Sequence, residues 1–218
     1  MSAAPRPIQI PAGGPSLGGD LALPAGATGV VVFAHGSGSS RHSPRNQFVA
    51  RTIQASGAAT LLFDLLTPAE ERADAFDGHL RFDIGLLGER LACAVRWVRE
   101  QPETRGLGIG CFGASTGAAA ALVAAADPRC AVQAVVSRGG RPDLAGAALE
   151  RITAPTLLIV GAHDDFVLQL NREACARLRC PKELAVVPGA THLFEEPGAL
   201  DQVASLATGW FRRHLGPA

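Results

Sequence analysis

The stretch Gly113-Ala114-Ser115-Thr116-Gly117 is where this chain first shows chemistry. It stands between an apolar run, Leu107 to Phe112, and an alanine-rich one, Ala118 to Ala126. These read as a short strand and a helix, so the five residues between them must turn sharply from one to the other. Glycine at both ends suits such a turn, because the backbone packs closely there and the central residue is strained. That geometry lifts the Ser115 hydroxyl out of a sheet. It also sets the hydroxyl at the positive N-terminal end of a helix, where an oxyanion is stabilised. A serine hydroxyl is a weak nucleophile at neutral pH. It needs a base within hydrogen-bond reach and an acid that orients the base.

In a parallel sheet, functional residues gather on the loops beyond the carboxyl ends of the strands. Of the six histidines, His192 is the best placed: Val187-Pro188-Gly189-Ala190-Thr191-His192 runs directly out of the last candidate strand. Asp164 and Asp165, in Gly161-Ala162-His163-Asp164-Asp165, follow the candidate strand Thr156 to Val160, and residue type alone leaves both open as the acid. Acyl transfer also needs two N–H groups aimed at the developing oxyanion. Thr116 N–H, next to the nucleophile, is one. The loop His35-Gly36-Ser37-Gly38-Ser39-Ser40 supplies the other, with Ser37 the first choice and Gly38 the second. The pieces fall in the chain order Ser, Asp, His, each after its own strand.

The elements that must position them alternate strand and helix for most of the length, which predicts an α/β fold with a mostly parallel sheet covered on both faces. Pro7 to Ile10 and Leu17 to Leu23 read as an opening antiparallel pair. Gly29 to Phe33, Ala59 to Phe63, Ala131 to Val136 and Leu184 to Val187 are further strands. Helices are expected over Asn46 to Ala55, Asp83 to Glu100, Leu168 to Leu178 and Leu200 to His214. Ile84, Leu87, Leu91, Val95 and Val98 fall on one helical face at three- and four-residue steps. Thr67 to His79 reads as a polar stretch, within which Thr67 to Gly78 is either one wall of a pocket or a solvated loop. The run Ser137 to Ala154 is too short for a lid domain, so an open site is expected.

Bulk composition narrows the function classes. The 218 residues are expected to form a single domain, 1–218, with a substantial core. Twenty acidic residues balance twenty basic ones, and no basic run occurs, which argues against nucleic acid as a partner. No apolar run is long enough to span a bilayer and no leader pattern opens the chain, so a soluble cytoplasmic protein is expected. The five cysteines (Cys93, Cys111, Cys130, Cys175, Cys180) lack metal-site spacing and read as reduced thiols, with an incidental Cys175–Cys180 disulfide left open. No metal or other cofactor is expected.

Together, Ser115, Asp164 and His192 in this order, with the upstream glycine–serine loop, resemble the α/β-hydrolase superfamily. Within it, the chain is similar to the compact, lidless dienelactone-hydrolase-like enzymes over nearly its whole length. The resemblance implies a central sheet of about eight strands in which only the second is antiparallel. It implies Ser115 as nucleophile, His192 as general base, Asp164 rather than Asp165 as orienting acid, and Ser37 with Thr116 as the oxyanion hole. Dienelactone hydrolases proper carry cysteine where this chain has Ser115, so their substrate does not carry over. The same position excludes an aspartate nucleophile.

The expected activity is cofactor-free hydrolysis of small esters, thioesters or lactones. An acyltransferase with the same triad and a non-catalytic scaffold are the alternatives. Arg138 and Arg141, after the strand that ends near Val136, and Arg41, beyond the oxyanion loop, are candidate ligands for a substrate carboxylate. No membrane partner is expected, and a homodimer is compatible with the sequence.

Overall fold

The computed structural model describes residues 4–216. The strands are β1 (Arg6–Pro11), β2 (Ser16–Ala22), β3 (Gly29–Ala34), β4 (Ala59–Phe63), β5 (Gly108–Ala114), β6 (Ala134–Arg138), β7 (Thr156–Gly161) and β8 (Lys182–Val187). The helices are α1 (Pro44–Ala55), α2 (Pro68–Asp74), α3 (Ile84–Glu100), α4 (Thr116–Ala125), α5 (Asp165–Arg177) and α6 (Ala199–His214). The strands form one eight-stranded sheet in the order β1-β2-β4-β3-β5-β6-β7-β8. β2 runs antiparallel to both its neighbours, and every other adjacent pair is parallel. This is the arrangement that the resemblance to α/β-hydrolases implies.

Side-chain alternation divides the interior in two. Along β3, Val30, Val32 and Ala34 enter one core, while Val31 and Phe33 enter the other. The first core is closed by α3 and α4, with Leu87, Leu91, Val95 and Val98 on the buried face of α3. Each such side chain contributes about 1.5–3 kcal/mol on burial. The second core is closed by α1 and α6 through Val49, Ile53, Val203, Trp210 and Phe211. Glycine sets the close approaches: a Cβ on Gly88 would lie 2.6 Å from Val123 of α4, and one on Gly110 would lie 2.6 Å from the Phe211 ring.

Several local expectations shift. β6 begins at Ala134 rather than Ala131, because Ala131 takes a left-handed conformation (φ 46°) as the chain leaves Cys130. The strand instead runs on to Arg138. The polar stretch after Thr67 is helical in part: Thr67 and Glu70 form a reciprocal capping box, with Pro68 in the first turn. Pro142–Arg151 winds as two short 3₁₀ segments broken at Gly146. All five cysteines are free thiols, Cys175 and Cys180 included, and burial pushes the Cys111 thiol far above its ordinary range. Among the described residues, no helix is long and apolar enough to cross a membrane.

Candidate active site

Register brings the functional loops to one level. Ala34 lies opposite Gly113, Ala114 opposite Arg138, and Gly161 opposite Val187, so β3, β5, β6, β7 and β8 end along one edge.

Ser115 joins β5 to α4 in a conformation (φ 51°, ψ −121°) that non-glycine residues rarely adopt. Such a backbone costs about 1–3 kcal/mol and persists only where its surroundings impose it. Here they do. The Ser115 N–H donates to the Arg138 carbonyl at 3.2 Å, and the Ser115 carbonyl accepts from Ala118 N–H and Arg141 N–H, both at 3.1 Å. The flanking glycines are required by contact. A Cβ on Gly113 would stand 2.4 Å from Ala118 Cα, and one on Gly117 would stand 2.3 Å from the Ala34 carbonyl oxygen.

The candidate base and acid, His192 and Asp164, come from two loops stitched together. His163 N–H donates to the Ala190 carbonyl and Ala162 N–H to the Val187 carbonyl, both at 2.9 Å. Glu196 ties back the histidine loop by accepting from Thr191 N–H at 3.0 Å. Across this seam, His192 Nδ1 lies 2.6 Å from Asp164 Oδ2. Asp164 precedes α5 but makes no side-chain cap bond, which leaves its carboxylate for the imidazole. Asp165 is the first residue of α5 and points to solvent, so the alternative left open by residue type resolves toward Asp164.

Gly139 packs against His192 beside the Ser115 turn. It directly follows the residue whose carbonyl binds Ser115 N–H, and a Cβ on it would meet the His192 carbonyl oxygen at 3.1 Å and Cε1 at 3.6 Å. Ser115 Oγ and His192 form no hydrogen bond here. Such contacts are often long without substrate and tighten in the Michaelis complex.

The candidate oxyanion loop abuts Ser115: a Cβ on Gly36 would lie 3.1 Å from Ser115 Cβ. Ser37 N–H, the first-choice donor, is held by the Thr116 hydroxyl at 2.9 Å. Gly38 supplies the positive φ (70°) that turns the loop. The residue that sequence reasoning missed is His35. Leu65 N–H donates to His35 Nε2 at 3.0 Å, so the ring proton is on Nδ1, which lies 2.9 Å from the Gly36 carbonyl oxygen. That carbonyl shares a peptide plane with Ser37 N–H, so the imidazole fixes the direction in which the donor points. Burial holds the His35 pKa below its ordinary value, consistent with a neutral ring. Behind it, buried Arg90 donates to the Leu65 carbonyl at 2.7 Å and grips Glu70 of α2.

A cavity of about 510 Å³ opens beside these donors. Ser37 and Thr116 border it, Leu65, Leu66 and Leu87 form its apolar side, and Glu71 and Arg81 bring charge. Of the two readings of Thr67 to Gly78, the pocket wall is the one met, through Glu71 and Asp74 of α2. None of the three candidate arginines is among its lining residues. Arg41 is bound by Asp64 and, at 3.2 Å, by Asp20. Arg141 is chelated by Asp143 at 2.8 and 2.9 Å. Arg138 is only 6% exposed, with Nη2 donating to Asn46 Oδ1 at 3.1 Å and its guanidinium 5.9 Å from the Phe194 ring. Burial, with Arg45 nearby, pushes its pKa down to about 10.

Asp74, Asp77 and His79 bring ligand-type atoms within 4.8 Å of one another. Asp74 is already bound by Leu80 N–H and Arg81, and His79 by Asp77, so this cluster is committed internally.

The model of the dienelactone hydrolase family matches residues 17–213. Proteins of Mycobacterium tuberculosis strains CDC 1551 and H37Rv, provisionally named phosphoribosyl transferases, are 59% identical over 211 residues, 96% of this chain. The chain spans 47% of the length of those relatives. The crystal structure of a dienelactone hydrolase from Anabaena variabilis matches with a TM-score of 0.94 at 55% identity, over 97% of this chain and 99% of that one. An esterase of Pyrococcus furiosus shares the fold, with a TM-score of 0.79 at 18% identity over 97% and 92% of the two chains.

Proposed function

The chain belongs to the dienelactone hydrolase family, and on that premise we propose that it is a serine hydrolase cleaving small esters, thioesters or lactones through an acyl-enzyme. The observation that carries this reading is the 2.6 Å contact between His192 Nδ1 and Asp164 Oδ2, on the same strand-end surface as the strained Ser115. Ser115 Oγ attacks the carbonyl carbon as His192 Nε2 takes its proton, and Asp164 steadies the imidazolium through Nδ1–H. Thr116 N–H binds the oxyanion, and Ser37 N–H joins it by exchanging its bond to the Thr116 hydroxyl for one to the oxyanion. His192 then protonates the departing alkoxide or thiolate, and a water activated by the same imidazole releases the acid. The apolar side of the cavity and the absence of a lid insertion favour short, soluble substrates.

The transferase name of the mycobacterial relatives describes proteins about twice as long as this chain. Displacement at a sugar carbon develops no carbonyl oxyanion, so the donors around Ser115 favour acyl chemistry for this segment.

The test is turnover of p-nitrophenyl acetate and butyrate with a pre-steady-state burst. A burst in the wild type that vanishes in Ser115→Ala supports the proposal. Full activity in Ser115→Ala overturns it.

A further inference from the structure

The charges around the cavity carry information about the substrate that the triad does not. Arg81 lines the cavity, Arg90 donates to the carbonyl of the lining residue Leu65, and Arg41 follows the lining loop 35–40; carboxylates occupy all three guanidiniums. Arg81 is bound through Nε to Asp74 at 2.5 Å, Arg90 grips Glu70 with two nitrogens, and Arg41 is shared by Asp64 and Asp20. His35 is held neutral by its two hydrogen bonds. Glu71 is different. It lines the cavity and has no ion-pair partner among the described residues. Glu71 is exposed to solvent on this side, and burial of its carboxylate together with Asp64 raises its pKa against the opposing pull of Arg81 and Arg41, neither of which forms an ion pair with it. The lining thus holds Asp74 and Glu71 against Arg81, with His42 exposed at the mouth: one negative charge in excess.

This arrangement bears on the expectation that Arg138, Arg141 or Arg41 would receive a substrate carboxylate. A carboxylate in this cavity would lose its hydration beside Glu71 and find no uncommitted guanidinium in return. An ammonium group would meet an unpaired carboxylate, and an uncharged chain would lie against Leu65, Leu66 and Leu87. The volume, about 510 Å³, falls within the range of about 300–1,000 Å³ usual for small-molecule sites.

Building on the serine-hydrolase reading above, we propose that this cavity receives the substrate substituent next to the scissile carbonyl as a cationic or uncharged group, with Glu71 as the residue that selects charge. Carboxylate-bearing esters are discriminated against.

Three p-nitrophenyl esters of matched shape test this. They are 4-(trimethylammonio)butyrate, its neutral isostere 5,5-dimethylhexanoate, and the glutarate half-ester, each corrected for its rate with hydroxide. In the wild type, kcat/KM is expected to fall from cation to neutral to anion, with about tenfold between the extremes or more. Glu71→Gln should collapse the cation-to-neutral ratio toward one, and Glu71→Lys should invert it. Equal use of the three esters by the wild type overturns the proposal while leaving the serine hydrolase standing. So does a ratio that Glu71→Gln leaves unchanged. Failure to turn over any of the three, together with no Ser115 labelling by a fluorophosphonate, overturns both readings.

Discussion

Ser115 holds a backbone conformation that glycine adopts at little cost and serine does not. If the hydroxyl is the reason for keeping the strain, Ser115→Gly should lose all esterase activity yet melt at a higher temperature, by about 1 kcal/mol of added stability. A thermal melt reads this directly, and a lower Tm would mean that the side chain supports the turn. The acid makes a sharper pair. Asp164→Asn removes the acceptor at His192 Nδ1 and should cut kcat by about 10³–10⁴. Asp165→Asn, one residue along and exposed, should leave kcat within about twofold. The positions of the candidate nucleophile, base and acid were legible in the sequence because each directly follows an apolar strand. Residue type alone left the two aspartates open, because the choice depends on which residue starts α5, and only the family resemblance pointed to Asp164. Nothing in the residue order around His35 reveals that its ring orients the Gly36–Ser37 peptide, since that role needs Leu65 at the end of β4 as a partner.

At the scale of elements, glycines govern how closely the loops meet. A methyl group on Gly117 would collide with the carbonyl oxygens of Ala34 and His35, at 2.3 and 2.4 Å, at the root of the oxyanion loop. Gly117→Ala should therefore destabilise the fold by about 1–3 kcal/mol. It should also lower kcat with little change in KM, because the displaced loop binds the transition state. Urea unfolding and steady-state kinetics measure the two effects, and an unchanged kcat would show that the loop tolerates the shift. The central strands and long helices were read from periodicity with small errors at their ends. α2 escaped because both its faces are polar. Its start was nonetheless written in Thr67-Pro68-Ala69-Glu70, a capping box with proline in the first turn. β6 was misjudged at both ends: a left-handed Ala131 cannot be foreseen from residue type, and Arg138 does not look like the end of a buried strand.

For the molecule as a whole, the pairing of β3, β4 and α2 around His35 and Arg90 gives stability a defined pH dependence. The folded-state pKa of His35 lies below 6.5, so the unfolded chain takes up this proton first as the pH falls. Its contribution is therefore present above pH 6.5 and is lost progressively below it. Glu70 behaves likewise at lower pH. Arg90 lowers its pKa to about 2, so its stabilisation holds above 4.5 and fades as the pH falls toward that value. Tm measured from about pH 8 to pH 5 should fall below pH 6.5, and less steeply in His35→Asn, which has no imidazole at that site. Equal slopes would mean that other groups dominate. Arg138 adds a second whole-molecule feature: a buried cation with no carboxylate partner among the described residues. Replacing such a charge with an apolar side chain of similar length often costs no stability, so Arg138→Met should keep the wild-type Tm or raise it.

The most direct test of the central claim is intact-mass analysis after reaction with a fluorophosphonate, with peptide mapping of the adduct, on wild type and Ser115→Ala. The account predicts one adduct per chain, on Ser115, and none in the variant. An unlabelled wild type whose melt shows a cooperative fold, or an adduct on another residue, would contradict it.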